Sequence, residues 1–398
     1  MKIQSERAKE IDAYLNTHLD AEVGRWPLEI SSVKKILPFY RFPIKPLLRY
    51  NINNGRFAME VQEWETKNKR KLDSCRDDDA EIIRNLLSEL SREQTELLKK
   101  DLKSKGQMEP GVITYDGFEI NGNRRMAILE ELWMEEKIGK YECFEAIRLP
   151  ASIGARDLWR IEAGLQLSQD KVAEYHPVNE LLKIKQGCDA GLDVGEISAS
   201  MYGRSEDYVR ECLSRLELID TFLDSIKQPQ NYGFIKKFGL HEYFIDVQNS
   251  VLKKLKKDGV NKRQISEYLN YSFALIHAGV LIQKEAKKKR EGITHWDIRK
   301  LGKIFSNAHA KDAFLENIRK EKRILDVNSK TLVEDFKAAT EILDMQEQSD
   351  QPIKLVEKAT KALESIDRTN RHFREERVIK AMNKLALLVN EIKKELSH

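Results

Sequence analysis

Cysteine is scarce in this chain, with four among 398 residues, at positions 75, 143, 188 and 212, and no Cys-x-x-Cys spacing. That excludes a disulfide-stapled scaffold and a zinc site built on cysteine pairs, and it points to a reducing, cytoplasmic compartment. Long apolar runs are missing too. No signal-like segment opens the chain, and its best apolar stretch, Tyr271 to Ile282, is short and interrupted by His277. A membrane-crossing helix needs roughly 20 apolar residues, so no membrane partner is expected. The eight histidines are scattered, without a paired ligand motif, so no histidine-built metal site is expected. An excess of one charge sign is also absent. Lys and Arg number 69 against 65 Asp and Glu, for a net charge of +4 on a chain that is 34% charged. The signs are interspersed, and any nucleic-acid surface must be local.

What the chain does have is length for two or three domains and one unusually ordered stretch. Gly106 to Trp133 reads GQMEPGVITYDGFEINGNRRMAILEELW. A Gly/Pro-punctuated turn leads into a short β-type run, a Tyr115-Asp116-Gly117 turn, a second strand from Phe118 to Asn121, and then Gly122-Asn123-Arg124-Arg125 opening a helix. The first turn of a helix leaves backbone N–H groups without intrahelical partners, and its dipole favours an anion there. Gly122 permits close approach of a ligand, and two arginines supply permanently charged forks suited to phosphate. Ordinary solvated charges at a strand-to-helix turn are the plain alternative. Along the helix, Ile128, Leu129, Leu132 and Trp133 share an apolar face, while Glu130, Glu131, Glu135 and Glu136 are expected in water.

The same segment resembles the ParB/sulfiredoxin-like superfamily. In partition proteins of the ParB type a Gly-x-x-x-Pro step, two strands around Asp-Gly and a Gly-x-Arg-Arg box follow in this order. Here the corresponding residues are Gly106 with Pro110, Asp116-Gly117, and Gly122-Asn123-Arg124-Arg125 followed by Met126-Ala127. The resemblance implies an α+β nucleotide-binding domain over residues 38–155, after an N-terminal helical extension over 1–37. It implies a ligand that is a nucleoside triphosphate, CTP or ATP, with magnesium as its companion. Upstream, Asn51 and Arg56 in LRYNINNGRF are similar to the family's exit from its first strand, although a plain Asn-Asn-Gly turn reads equally well there. Where the family carries Glu-Asn-x-x-Arg, this chain has Glu162-Ala163-Gly164-Leu165-Gln166. The implied phosphate-site set is therefore Arg56, Gly122, Asn123, Arg124, Arg125, Glu162 and Gln166. Asn123 stands where many partition proteins place Glu, and Ala163 and Gln166 replace an amide and a charge. Binding is expected over turnover, and no cysteine in the box supports sulfiredoxin chemistry.

Before the box, Lys67 to Asp79 is polar and reads as an exposed loop, and Ala80 to Lys103 reads as two helices with Ser91 and Gln94 as a capping box. Tyr141 to Leu149 alternates as a further strand. Residues 156–222 read as helical and contain a helix-turn-helix pattern from Leu192 to Ile219, with Ile197, Met201, Val209, Leu213 and Leu216 inside. Its candidate DNA donors are Arg204, Ser205, Arg210, Ser214 and Arg215, although Glu206 and Asp207 would repel phosphates, and plain three-helix packing competes with this reading. Residues 223–398 read as a C-terminal helical domain with basic clusters, among them Lys236-Lys237, Lys253-Lys254 and Lys287 to Arg290, each of which is either a phosphate contact or a solvated face. Val378, Met382, Leu385, Val389, Ile392 and Leu396 form a heptad-like seam. Ile353, Val356, Thr360 and Leu363 are its expected intrachain partners, with a homodimer as the alternative.

Two functions stand open. One is a ParB-like DNA-binding protein with a nucleotide site, acting in partition, regulation or defence. The other is a nuclease or NTPase of a mobile-element or phage-defence system, for which Glu109, Asp116, Glu119 and Glu162 are the candidate metal-holding carboxylates. A helical interaction scaffold is a third, purely structural reading.

Overall fold

The computed structural model describes residues 4–30, 33–167, 176–201, 203–286, 292–321, 324 and 327–396. Its N-terminal part is α+β, built on one five-stranded mixed sheet, and the remainder is almost entirely helical. The strands are β1 (Glu22–Ile30), β2 (Val33–Pro43), β3 (Gly111–Ile113), β4 (Glu119–Asn121) and β5 (Cys143–Arg148), in the order β1-β2-β5-β3-β4. Among these strands the β3–β5 pair is parallel and the β1–β2, β2–β5 and β3–β4 pairs are antiparallel.

Helices cover both faces of this sheet. On one side lie α1 (Ser5–Thr17), α2 (Ala58–Asn68), α3 (Asp77–Glu89), α4 (Arg92–Lys105) and α5 (Asn123–Glu136), meeting Phe42, Ile113, Phe144 and Ala146 of the strands. α3 starts on three aspartates, which suits the positive end of a helix dipole, and it repeats Ile83 and Leu87 inward. On the other side α6 (Ala155–Leu167) sets Ile161 against Leu28, Ile30, Val112, Ile120 and Ile147.

The helical part continues with α7 (Pro177–Asp189), α8 (Val194–Ser200), α9 (Glu206–Ser225) and α10 (Tyr232–Lys237). It goes on through α11 (His241–Asp246), a π-helical turn at Val247–Leu252, α12 (Lys253–Lys257), α13 (Lys262–Ala286), α14 (His295–Ser306) and α15 (Ala308–Leu315), to α16 (Ser329–Glu364) and α17 (Glu376–Leu396). A single apolar core links these helices from α7 to the first half of α16, with Phe222 packed on Phe244 at 5.3 Å and Phe273 at 5.9 Å between ring centroids. Local chemistry fixes the helix starts. Asp193 and Glu196 form a capping box on α8, and the Ser205 hydroxyl accepts from the Tyr208 amide to cap α9. Among the described residues no helix is long and apolar enough to cross a membrane.

Several expectations are corrected. Residues 1–37 are not purely a helical extension: after α1, which buries Ile11 in the core below the sheet, β1 and the start of β2 form a hairpin. Its prolines are tolerated because Pro27 sits in an edge strand and Pro38 lies just before β2 begins to pair with β5 at Phe39. Lys67 to Asp79 is no simple exposed loop, since Arg70 grips the buried Asp79 through two 2.7 Å bonds. Ser91 precedes α4 but makes no side-chain cap, so the Ser91–Gln94 box is not formed. Glu130 is buried rather than in water, accepting from Tyr50 at 2.6 Å and pairing with Lys45 and Arg84. At the C-terminus both helices are present, but α17 buries no side chain and Ile353 and Val356 stay 64% and 63% exposed. The expected hairpin seam is therefore left open to solvent. The basic run Lys287 to Arg290 lies outside the described residues.

Candidate functional site

The strand-to-helix turn after β4 opens into a cavity of about 390 Å³ between the α/β part and the helical part. Arg56, Gly122, Asn123, Arg124, Arg125 and Gln166 all line it, so six of the seven expected phosphate-site residues come together there. They arrive from three separate segments: the loop after Tyr50, the start of α5, and the end of α6.

Gly122 has φ +133°, and a β-carbon there would stand 2.7 Å from both the Glu119 carboxyl and the Phe144 ring, so the backbone accepts only glycine. Asn123 turns inward, where its carbonyl oxygen Oδ1 accepts from the Asn51 amide at 3.2 Å. Asn54 is the second pin of that loop. Its Nδ2 donates to the Ile120 carbonyl at 3.1 Å, and its Oδ1 accepts from the Arg56 amide at 3.0 Å and from Gln166 Nε2 at 3.2 Å. The Asn51–Arg56 stretch is thus a turn, joined to the sheet by a parallel bridge between Arg49 and Phe118. Gln166 keeps its Oε1 buried with no hydrogen-bond partner beside the cavity, an acceptor that water or a ligand donor must satisfy.

Arg124 donates through Nη1 to Gln94 Oε1 at 3.1 Å, and Arg125 donates to the Glu109 carbonyl. Burial holds the Arg125 guanidinium below its ordinary pKa, and nearby Arg56 adds to that effect against the opposing pull of Glu119 and Glu109. Clustered guanidiniums under partial burial gain most when an anion joins them. Behind Gly122, Glu119 is fully buried, and neither of its oxygens makes a hydrogen bond of normal geometry. Burial raises its pKa well above the carboxylate range, offset only in part by Arg125 and by the Val112 and Asn121 amides.

Glu162 is not at the cavity. Its Oε2 is 2.7 Å from the Lys183 ammonium and its Oε1 accepts from the Gly55 amide at 3.0 Å, so it holds the Gly55–Arg56 loop from behind. The candidate metal carboxylates do not converge either. Asp116 accepts from the Gln4 amide and Thr114, Glu119 is sealed behind Gly122, and Glu162 is engaged by Lys183. Among the described residues no three His, Cys, Asp or Glu side chains are grouped to hold a metal.

The far wall was not foreseen as part of the site. His176, Asn179 and Lys236 line the cavity from α7 and α10, with Glu60 of α2 bonded to Lys236. Asn179 Nδ2 donates to the Arg56 carbonyl at 2.9 Å. His176 caps α7, and burial, with His241 and Lys236 nearby, lowers its pKa to about 4. Lys236 was visible in sequence only as one of several basic pairs. Leu90, Leu98 and Met108 give one side of the cavity an apolar lining.

The expected DNA donors divide. Arg204, Ser205 and Arg210 are exposed at the start of α9, Arg204 over the Tyr208 ring at 4.4 Å and Arg210 paired with Glu206 at 2.8 Å. Ser214 and Arg215 are half-buried, and Arg215 is turned toward Gln248 of the π-helical turn, with bonds of 3.1 and 3.0 Å. No protein-family model, curated protein or solved structure matches the chain.

Proposed function

We propose that the chain is a ParB-like DNA-binding protein whose α+β part binds a nucleoside triphosphate, CTP or ATP. The observation that carries this reading is that Arg56, Arg124 and Arg125, from two separate segments, share one cavity with the glycine-opened start of α5. The phosphates lie at that helix start, where Gly122 makes room and the dipole of the helix favours an anion. Arg56, Arg124 and Arg125 neutralise them. The nucleoside rests on the Leu90, Leu98 and Met108 side, and Gln166 Oε1 accepts from one of its hydroxyl or amino groups. Magnesium would enter with the triphosphate and offset part of its charge, since among the described residues no group of carboxylates is placed to hold the ion. DNA meets the α8–α9 turn through Arg204, Ser205 and Arg210, in support of which all three are exposed.

Calorimetric titration with ATP, CTP, GTP and UTP, with and without duplex DNA, tests this. Binding that is lost in Arg124→Ala/Arg125→Ala is the expected result. Four triphosphates without heat, or a double variant that binds as well as wild type, would overturn it. For the DNA arm, Arg204→Ala/Arg210→Ala is expected to weaken salt-sensitive duplex binding by about tenfold or more, as each lost phosphate contact reduces counterion release.

A further inference from the structure

Lys236 reaches the cavity from a helix that belongs to the other half of the molecule. α10 follows the helix-turn-helix segment in sequence, and its Ile235 sits in the core of the helical part, yet Lys236 lines the same space as Arg56, Arg124 and Arg125. Its position is fixed rather than chosen by a loose side chain. α10 packs on α2 so closely that a β-carbon at Gly233 would lie 2.2 Å from the Glu63 carboxylate. From there the Lys236 ammonium donates to Glu60 Oε1 at 2.8 Å. An ammonium has three donors, and Glu60 takes one of them. The pair is poorly shielded on the lysine side, at 45% exposure, so it has little hold on Lys236 beyond orientation. His176, on the same wall, is neutral near pH 7 and adds no charge there.

We propose that Lys236 is a phosphate-binding residue, and that it makes the site select ligands with a chain of phosphates over ligands with one. This deepens, and rests on, the reading of the Gly122–Arg125 box as a nucleotide site. A single phosphate is satisfied at the α5 start by Arg124 and Arg125. A di- or triphosphate reaches further into the cavity, to the part that Lys236 of α10 lines, where a charge-assisted bond forms with one of the remaining donors. The bound polyphosphate then ties α10 to α5, so the ligand holds the helical part against the α+β part.

The test compares ATP, ADP and AMP, and CTP, CDP and CMP, on the full chain as wild type, Lys236→Ala, Lys236→Arg and Arg124→Ala/Arg125→Ala. For Lys236→Ala, triphosphate affinity is expected to fall about tenfold or more while monophosphate affinity is unchanged, compressing the ratio between them. Lys236→Arg, which keeps the charge, is expected to keep the preference. If the ratio in Lys236→Ala equals that of wild type while the double arginine variant loses binding, the box stands and the role of Lys236 falls. If wild type binds none of the six, the box reading falls and takes this one with it. Far-ultraviolet circular dichroism and melting curves for each variant separate loss of binding from loss of fold.

Discussion

The Glu119 carboxyl lies 2.7 Å from where a β-carbon on Gly122 would stand. An acidic side chain therefore fills the space behind the turn that opens the candidate phosphate site, and the glycine is required twice, by its φ of +133° and by that carboxyl. Gly122→Ala must relieve both at once. The backbone strain alone costs about 1–3 kcal/mol, and the Phe144 ring, also at 2.7 Å, blocks an easy shift. The expected outcome is a lower urea midpoint with an unchanged slope, together with weaker nucleotide binding.

Glu119 itself predicts a pH dependence. Its ordinary value is 4.5, and burial raises the folded value well above that. Below pH 4.5 the carboxyl is protonated in both states and carries no penalty. As pH rises past 4.5 the unfolded chain releases the proton while the folded chain keeps it, so stability falls until the folded value is passed. Glu119→Gln removes the titration and keeps the shape. Its stability relative to wild type, followed by thermal melts from pH 4 to 8, is expected to improve steadily with pH; a flat difference would show that Glu119 is ionised in the folded chain.

His176 predicts the opposite slope. Its pKa is lowered from 6.5 to about 4. Above pH 6.5 both states are neutral. Between 6.5 and about 4 the unfolded chain gains a proton that the folded chain refuses, and stability is lost as pH falls through that window. His176→Asn keeps an N-cap acceptor for α7 and is expected to flatten that loss. Melts at pH 7.5 and 5.0 check it: a drop of equal size in wild type and variant would assign the acid sensitivity elsewhere.

How much of this was legible in sequence follows from where the contacts come from. Gly106 to Trp133 could be read because its strands, turns and helix are set by neighbouring residues, and the structure places β3, β4 and α5 on that stretch. Gln166 and Arg56 could be placed at the site only through the spacing of a resemblance, and the structure brings both to the cavity. Glu162 had the same warrant and sits elsewhere, because a glutamate on the right helix carries no mark of the lysine it will meet on the next one. His176, Asn179 and Lys236 were invisible as site residues, since nothing local sets which face of α7 or α10 looks back at the box. The β1–β2 hairpin was not legible because its prolines argue against strands, yet Pro27 lies in the edge strand β1 and Pro38 just before β2 pairs with β5.

The Glu162–Lys183 pair gives the sharpest link between stability and site. Both side chains are nearly inaccessible, at 6% and 1% exposure, and Lys183 also donates to Gln186 at 3.0 Å. Burial lowers the Lys183 pKa, while Glu162 pulls it back up. Removing one member strands the other charge, so Lys183→Met and Glu162→Gln are each expected to cost about 3–5 kcal/mol. The double variant leaves no uncompensated charge and should cost far less than the sum, a coupling that urea unfolding of all four proteins measures directly. Glu162→Gln can still accept from the Gly55 amide, whereas Lys183→Met leaves the carboxylate in place but without its anchor. If this pair positions the Gly55–Arg56 loop, Lys183→Met is expected to weaken the proposed nucleotide binding more than Glu162→Gln does at equal stability loss. Equal losses of binding would reduce the pair to a structural one, with Asn54 and Asn179 still holding the Arg56 backbone.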